Sequence, residues 1–275
     1  MKKLGLMILL TGIVLLAGCA GDNPANPGGT LADVTGLTID ATSAGQNVVL
    51  TWNAVADVDG YYVYFRTTST GTWDKVGDVT ATTYTHTATS AGYYVVMAYK
   101  GSDTSANNSN EVNTMPVDDT TTYTIYDNYS AADEHSAFIF GKTSGSGQTG
   151  LASNTNFVQD IYAWDLSKGD TDVWLLSGNW GTYGNGRQSY MFEPAQAGYC
   201  DVWTTSTSGP SGPWFSQSYM LYTSDARVFV YLYDGYYAKI YNLSISADPN
   251  TANGTIVSFS YEIQTIAGLT LFTSK

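Results

Sequence analysis

Basic residues and histidines are scarce in this 275-residue chain. Lysine and arginine number 11 against 24 aspartates and glutamates, which gives a formal net charge of −13 at pH 7. A nucleic-acid partner needs a basic surface that neutralises phosphates, so this balance argues against one. The two histidines, His86 and His135, fall in different segments of the chain. A haem or metal site built on a histidine pair within one domain is therefore excluded.

The sequence also lacks the motifs of common enzymes. The glutamates beyond residue 122 are Glu134, Glu193 and Glu262. Their spacing does not indicate the pair of catalytic carboxylates that a glycosidase needs. No serine lies in a nucleophile-elbow motif, and the glycine-rich segment 178–189 has no P-loop lysine. The acidic stretches 57–60 and 165–172 lack the twelve-residue calcium loop and are typical of turns. We therefore predict a non-enzymatic protein with no metal site.

Long apolar runs are limited to the N-terminus. Two lysines precede an apolar run from Leu4 to Leu16, which is too short for a membrane span and typical of a signal peptide. It ends in "LAGC", residues 16–19, which resembles the bacterial lipobox. The resemblance implies cleavage after residue 18 and a lipid anchor on Cys19, whereas the alternative is an ordinary signal peptide. Lipidation leaves Cys200 as the one thiol, so no intrachain disulfide is expected.

The remaining chain predicts two all-β domains on a tether. Ala20, where an inner-membrane retention aspartate would stand, favours the outer membrane, and 19–30 reads as a Gly/Pro/Asn-rich tether. Short β-like runs at regular spacing predict a sandwich over 31–117, which we expect to fold alone around Trp52. Residues 115–122 are typical of a linker, and 118–275 predicts a second antiparallel β domain.

The segment 31–117 resembles the fibronectin type III family. The residues that carry the resemblance are Leu37, Trp52, Gly60, Tyr61, Tyr64, Ala98, Asn110 and Val112. The resemblance implies a spacer or recognition module with Trp52 at the centre of a sandwich. One departure is Gly92, which stands where the family has its corner tyrosine, so that corner is either absent or rebuilt by Tyr93 or Tyr94.

A tyrosine-rich stretch, "VFVYLYDGYYAKIYNLSI" at 228–245, predicts a hairpin around Asp234-Gly235. A two-residue turn pairs Tyr233 with Tyr236 and gathers Tyr231, Tyr233 and Tyr236 on one aromatic face. Either a second sheet or loop covers that face, or it binds a flat ligand.

This hairpin and the strand after it resemble the closing strands of the HmuY-like haem-binding lipoproteins. The matching residues are Gly235, Tyr237, Ala238, Lys239, Phe259 and Tyr261. The resemblance implies an all-β fold that captures a hydrophobic ligand at the cell surface, with haem as one possibility. Met191 and Met220 are the soft axial ligands available to haem, and the alternative for both is a place in the core.

The tryptophans favour a second kind of ligand. Trp174 precedes the glycine-rich segment 178–189, Trp180 lies within it, and Trp203 and Trp214 follow it. Exposed indole rings stack on sugars, whereas buried ones build a core. Three hypotheses follow for this lipid-anchored protein: capture of haem or another flat hydrophobic ligand, adhesion through a glycan, or a structural role in an envelope complex.

Overall fold

The computed structural model describes residues 31–130, 135–142, 146–165, 173–183, 186–192, 218–221, 227–251 and 254–275. The predicted signal peptide, Cys19 and the tether lie outside these residues, as do Cys200, Trp203 and Trp214. The described part is all-β and contains no α-helix. Accordingly, it has no helix long and apolar enough to cross a bilayer.

The first domain is a sandwich of two antiparallel sheets. Its strands are β1 Thr38–Ile39, β2 Asn47–Thr51, β3 Gly60–Arg66, β4 Asp74–Val79, β5 Thr83–Thr87, β6 Tyr93–Lys100, β7 Asp103–Thr104 and β8 Val112–Asn113. The sheet β1-β2-β5 faces the sheet β4-β3-β6-β7, in which β8 also pairs with β6. Trp52 is buried between them and stands edge-on to Tyr61, with ring centroids 5.5 Å apart.

Gly92 has a packing reason in this sandwich. A side chain there would collide with the ring of Phe65 and the carbonyl of Arg66. Tyr94 is fully buried, and its hydroxyl lies 3.0 Å from Nδ1 of His86 rather than reaching a backbone carbonyl. Close packing at the turn into β6 therefore explains why glycine stands at the corner position.

The second domain is a sandwich as well, and each of its two sheets has five strands. Its strands are β9 Val117–Tyr126, β10 Ala137–Ile139, β11 Gln148–Gly150, β12 Ile161–Asp165, β13 Val173–Ser177, β14 Ser189–Phe192, β15 Ser218–Leu221, β16 Val228–Leu232, β17 Tyr237–Ala247 and β18 Thr255–Ile263. The sheet β11-β10-β12-β13-β15 packs on the sheet β14-β16-β17-β18-β9. Alternate residues of each strand enter the shared core, as the period of two requires.

The segment 115–122, predicted to be a linker, is largely strand. β9 begins at Val117 and pairs with the end of β18, where Val117 lies opposite Ile263 and Asp118 opposite Glu262. β9 is an edge strand, and polar residues are common in edge strands because they protect against unwanted pairing. Its Asp- and Thr-rich sequence therefore resembles that of a linker. The chain thus passes from one sandwich to the other within a few residues of Val112–Asn113.

The predicted register of the tyrosine-rich hairpin is wrong by one residue. Tyr231 pairs with Tyr237 rather than with Ala238, and Leu232 N donates to the Tyr236 carbonyl at 2.9 Å. The turn therefore holds three residues, 233–235, and ends at Gly235 with φ of +86°. A three-residue turn that closes on a left-handed glycine is a common alternative to the two-residue Asp-Gly turn.

Candidate ligand-binding faces

One outer face of the second domain is lined with aromatic rings. In β12, Ile161 and Ala163 enter the core, so Tyr162 and Trp164 point to the opposite side. Trp164 pairs with Trp174 of β13. We call this surface the tryptophan face and define it by Tyr162, Trp164, Trp174, Leu176, Trp180 and Tyr183. All of its members except Trp180 belong to one packed cluster, in which Trp164, Trp174 and Tyr183 are only partly buried.

A short loop, 178–183, crosses this face and orders its rings. The Tyr162 hydroxyl donates to the carbonyl of Trp180 at 2.5 Å, and burial raises the pKa of Tyr162 to about 12, so it stays a donor. The ring of Tyr183 lies 5.8 Å from that of Tyr162 and 5.7 Å from that of Trp164. Trp180 is left 48% exposed at the edge. The face therefore combines fixed rings with one open indole.

The loop is held in place by close backbone contacts and by an ion pair with a buried carboxylate. Gly186 N donates to the Gly178 carbonyl, and Arg187 N donates to the Gln159 carbonyl, each at 2.7 Å. Arg187 Nε also donates to the buried carboxylate of Asp160 at 2.7 Å. Burial raises the pKa of Asp160, and the Arg187 guanidinium opposes that rise. This support makes the tryptophan face largely preformed, as ligand sites usually are.

The opposite outer face of the same domain carries tyrosines. Tyr190 of β14, Tyr231 of β16 and Tyr237 of β17 are register neighbours. Their ring centroids are 6.4 Å apart between Tyr190 and Tyr231 and 5.1 Å apart between Tyr231 and Tyr237. We call this row the tyrosine face. Tyr237 is buried while the other two are partly exposed, so only one end of the row is accessible.

The structure does not bring the predicted tyrosines together on one face. Tyr231 lies in the tyrosine face, Tyr233 lies in the turn and is 70% exposed, and Tyr236 packs against the inner core. The corrected register explains this, because a shift of one residue moves a side chain to the other face. Whether Tyr231, Tyr233 and Tyr236 contact a ligand stays a prediction, but they do not form a single platform.

The two predicted methionines occupy different sheets. Met191 is fully buried in the core between the sheets, where its strand neighbour is Val230. The backbone of Met220 belongs to the other sheet and pairs with Trp174. His135 is exposed near Thr149 and Tyr126. The described residues contain no group of three or more histidine, cysteine or acidic side chains that could hold a metal ion.

Sequence reasoning missed several of these aromatic positions. Trp164 and Tyr183 complete the tryptophan face, and Tyr190 and Tyr237 complete the tyrosine face. The sequences "IYAWD" and "VWLLS" alternate in the way that is typical of strands, and this pattern indicates β12 and β13, which carry Trp164 and Trp174. No local pattern places Tyr183 or Tyr190, because each meets its neighbours across a loop or a strand pairing.

Comparisons with known proteins find solved structures that are similar to parts of this chain. No family model and no curated protein matches this chain. Among solved structures, a Fn3-like protein from Clostridium thermocellum is 32% identical over 29% of this chain and 86% of that chain, with a TM-score of 0.26. A structure of titin kinase and its flanking domains is 11% identical over 86% of this chain and 38% of that chain, also with a TM-score of 0.26.

The first domain is a fibronectin type III-like β-sandwich. Its three-stranded sheet, β1-β2-β5, faces a larger sheet in which β3 and β6 are central, and a tryptophan fills the space between them. The fold by itself assigns no activity, since sandwiches of this kind serve many functions.

Proposed function

We propose that this protein is a non-enzymatic, lipid-anchored binding protein of the bacterial cell surface that holds a carbohydrate on its tryptophan face. The observation that carries the proposal is the combination of Trp180, 48% exposed, with the partly buried rings of Trp164, Trp174 and Tyr183. Apolar faces of sugar rings stack on such side chains, and nearby polar groups set orientation. Asn179 is exposed directly beside Trp180 and can supply one such group.

The anchor and the first domain give this face its setting. The "LAGC" motif supports lipidation of Cys19, and Ala20 supports delivery to the outer membrane. The tether 19–30 and the fibronectin type III-like domain then stand between the membrane and the second domain. Such an arrangement suits a protein that presents a ligand-binding surface away from the cell.

The resemblance to HmuY-like lipoproteins supports the same general role. Apart from Gly235 in the turn, its motif residues fall in two adjacent strands, with Tyr237, Ala238 and Lys239 in β17 and Phe259 and Tyr261 in β18. The proposed kinship implies a surface protein that captures a ligand. It does not fix the ligand, because the second domain has only one histidine, His135.

A glycan array probed with the full chain tests the proposal. We expect binding to at least one glycan, and we expect Trp180→Ala to weaken it at least tenfold, since stacked aromatic side chains dominate such sites. Tyr233→Ala is the matched control, because Tyr233 is also an exposed aromatic residue but lies in the hairpin turn. No glycan binding, or equal losses in both variants, contradicts the proposal.

Haem or another flat hydrophobic ligand is the second candidate. The observation in its favour is the partly exposed pair of Tyr190 and Tyr231, whose rings lie 6.4 Å apart beside the exposed Tyr233. Addition of haemin should then give a Soret shift that Tyr231→Ala weakens. Met191→Ala should instead lower stability, because that side chain lies in the core. If neither haemin nor a glycan binds, the envelope-scaffold hypothesis remains.

A further inference from the structure

The last part of the chain leaves the second domain and runs onto the first. We call residues 264–275 the strap. The Gln264 side chain donates to the Thr114 carbonyl at 2.9 Å and to the Leu271 carbonyl at 2.8 Å, both in buried surroundings. The strap then turns at Gly268, with φ of +84°, and Gly268 N donates to the Gly235 carbonyl at 2.9 Å. Its course is thus fixed at once by both domains.

On the first domain, the strap behaves like an added strand. Gly45 N donates to the Gly268 carbonyl at 2.8 Å, and Thr270 N donates to the Gly45 carbonyl at 2.9 Å, which forms a parallel bridge between Gly45 and Leu269. Ala91 N donates to the Phe272 carbonyl at 3.1 Å. These are backbone groups at one end of the sandwich that would otherwise need another partner.

The strap also completes the core of the first domain. Leu269 and Leu271 are fully buried and belong to the same cluster as Trp52 and Leu50. Ile266 packs against that cluster from its edge. The core of the fibronectin type III-like domain is therefore built partly from residues far beyond 31–117.

On the second domain, the strap covers a buried ion pair and a phenylalanine. Lys239 Nζ lies 2.9 Å from Glu262 Oε2, both side chains are fully buried, and Lys239 also donates to the Thr273 carbonyl at 2.7 Å. The Thr273 hydroxyl donates to the Glu262 carboxylate. The Phe272 ring stands perpendicular to that of Phe229 at 5.0 Å. Buried charges require this degree of pairing to be tolerated.

We propose that the strap couples the two domains into one folding unit. The end of the first domain formed by Gly45, Ala91 and Thr114 is an acceptor surface for an extended segment with leucines two residues apart, and the strap is its occupant. The first domain is then not an independent spacer but a rigid mount. It fixes the orientation of the second domain relative to the first.

Hydrogen exchange of the full chain tests this coupling, because Gly45 N and Ala91 N donate directly to the strap. Phe229→Ala removes a contact with Phe272 and lies in the second domain. We expect it to accelerate exchange at Gly45 and Ala91 at least tenfold. Val228→Ala is the matched control, since Val228 is the neighbouring residue and is equally buried but packs into the inner core. It leaves the strap contacts in place, so any acceleration at these two amides should stay within the loss of global stability that urea unfolding measures for Val228→Ala, whereas Phe229→Ala should exceed its own loss.

Two further measurements keep the proposal falsifiable if Phe229→Ala does not fold. Thr273→Val removes one donor to Glu262 with little change in volume and should accelerate the same amides in the same direction. Calorimetry of the wild type should show a single transition, because coupled domains unfold together. Two separate transitions in the wild type would overturn the proposal. Unchanged exchange at Gly45 and Ala91 in both Phe229→Ala and Thr273→Val would also overturn it.

Discussion

The two sheets of the second domain both carry large aromatic side chains on their outer faces, but the chain treats the two faces differently. On the sheet of β16 to β18, the strap covers Phe229, Lys239 and Glu262. On the sheet of β12 and β13, the described segment that crosses the rings is the short loop 178–183, and it leaves Trp180 48% exposed. Aromatic content alone therefore does not distinguish an open face from a covered one.

The covered face should respond most strongly to loss of charge pairing. Lys239→Met leaves the Glu262 carboxylate buried without its cation, and we expect a loss of ~3–5 kcal/mol in the free energy of unfolding. The double variant Lys239→Met/Glu262→Leu should recover most of that loss, because both charges are then gone. Urea unfolding measures both. A single variant as stable as the wild type would show that the pair is not desolvated under the strap.

A buried contact under the open face should have an intermediate effect. Tyr162→Phe deletes the hydroxyl that donates to the Trp180 carbonyl, and we expect a loss of ~0.5–1.5 kcal/mol in the free energy of unfolding. Amide exchange in the loop 178–183 should accelerate more than exchange in β12. Equal protection of the loop in wild type and variant would mean that the hydroxyl does not order it.

The exposed indole should hardly affect stability. Because Trp180 is 48% exposed, Trp180→Ala should change the free energy of unfolding by less than about 0.5–1 kcal/mol. The same change should abolish most glycan binding, and this separation of stability from binding marks a ligand contact. A large stability loss in Trp180→Ala would place that ring in the core instead.

The smallest expected effect is a pH dependence in the first domain. Burial lowers the pKa of His86 from its usual value of 6.5, so the unfolded state binds the proton more readily than the folded state. The contribution of His86 to stability is complete above pH 6.5 and is lost as the pH falls through the lower folded value. His86→Gln should flatten the stability profile between about pH 7.5 and 5.5. Identical profiles in the wild type and this variant would contradict this assignment.

The sequence pattern predicted most strands correctly, but it did not predict which segments cover the outer faces of the sheets. Trp52 and the alternating strands predicted the first sandwich correctly, and the all-β character of the second domain is confirmed. The hairpin register failed because an Asp-Gly pair permits both a two-residue and a three-residue turn. That single residue decided which side of the sheet Tyr236 faces.

The position of the strap could not be predicted from the local sequence pattern. Leu269 and Leu271 alternate like any short strand, but their partners are Gly45, Ala91 and the core around Trp52, more than 170 residues earlier in the chain. Nothing in the sequence near them indicates which domain they join. The same limit applies to the tryptophan face, where Tyr183 meets Trp164 only after a loop folds back over the sheet.

Hydrogen exchange of the full chain, with and without a glycan identified on the array, tests the central comparison most directly. The account predicts that the glycan slows exchange in the segment from Trp174 to Tyr183 and leaves the segment from Phe229 to Tyr241 unchanged. Slower exchange confined to Phe229–Tyr241 would contradict it, because the ligand would then occupy the face that the strap covers.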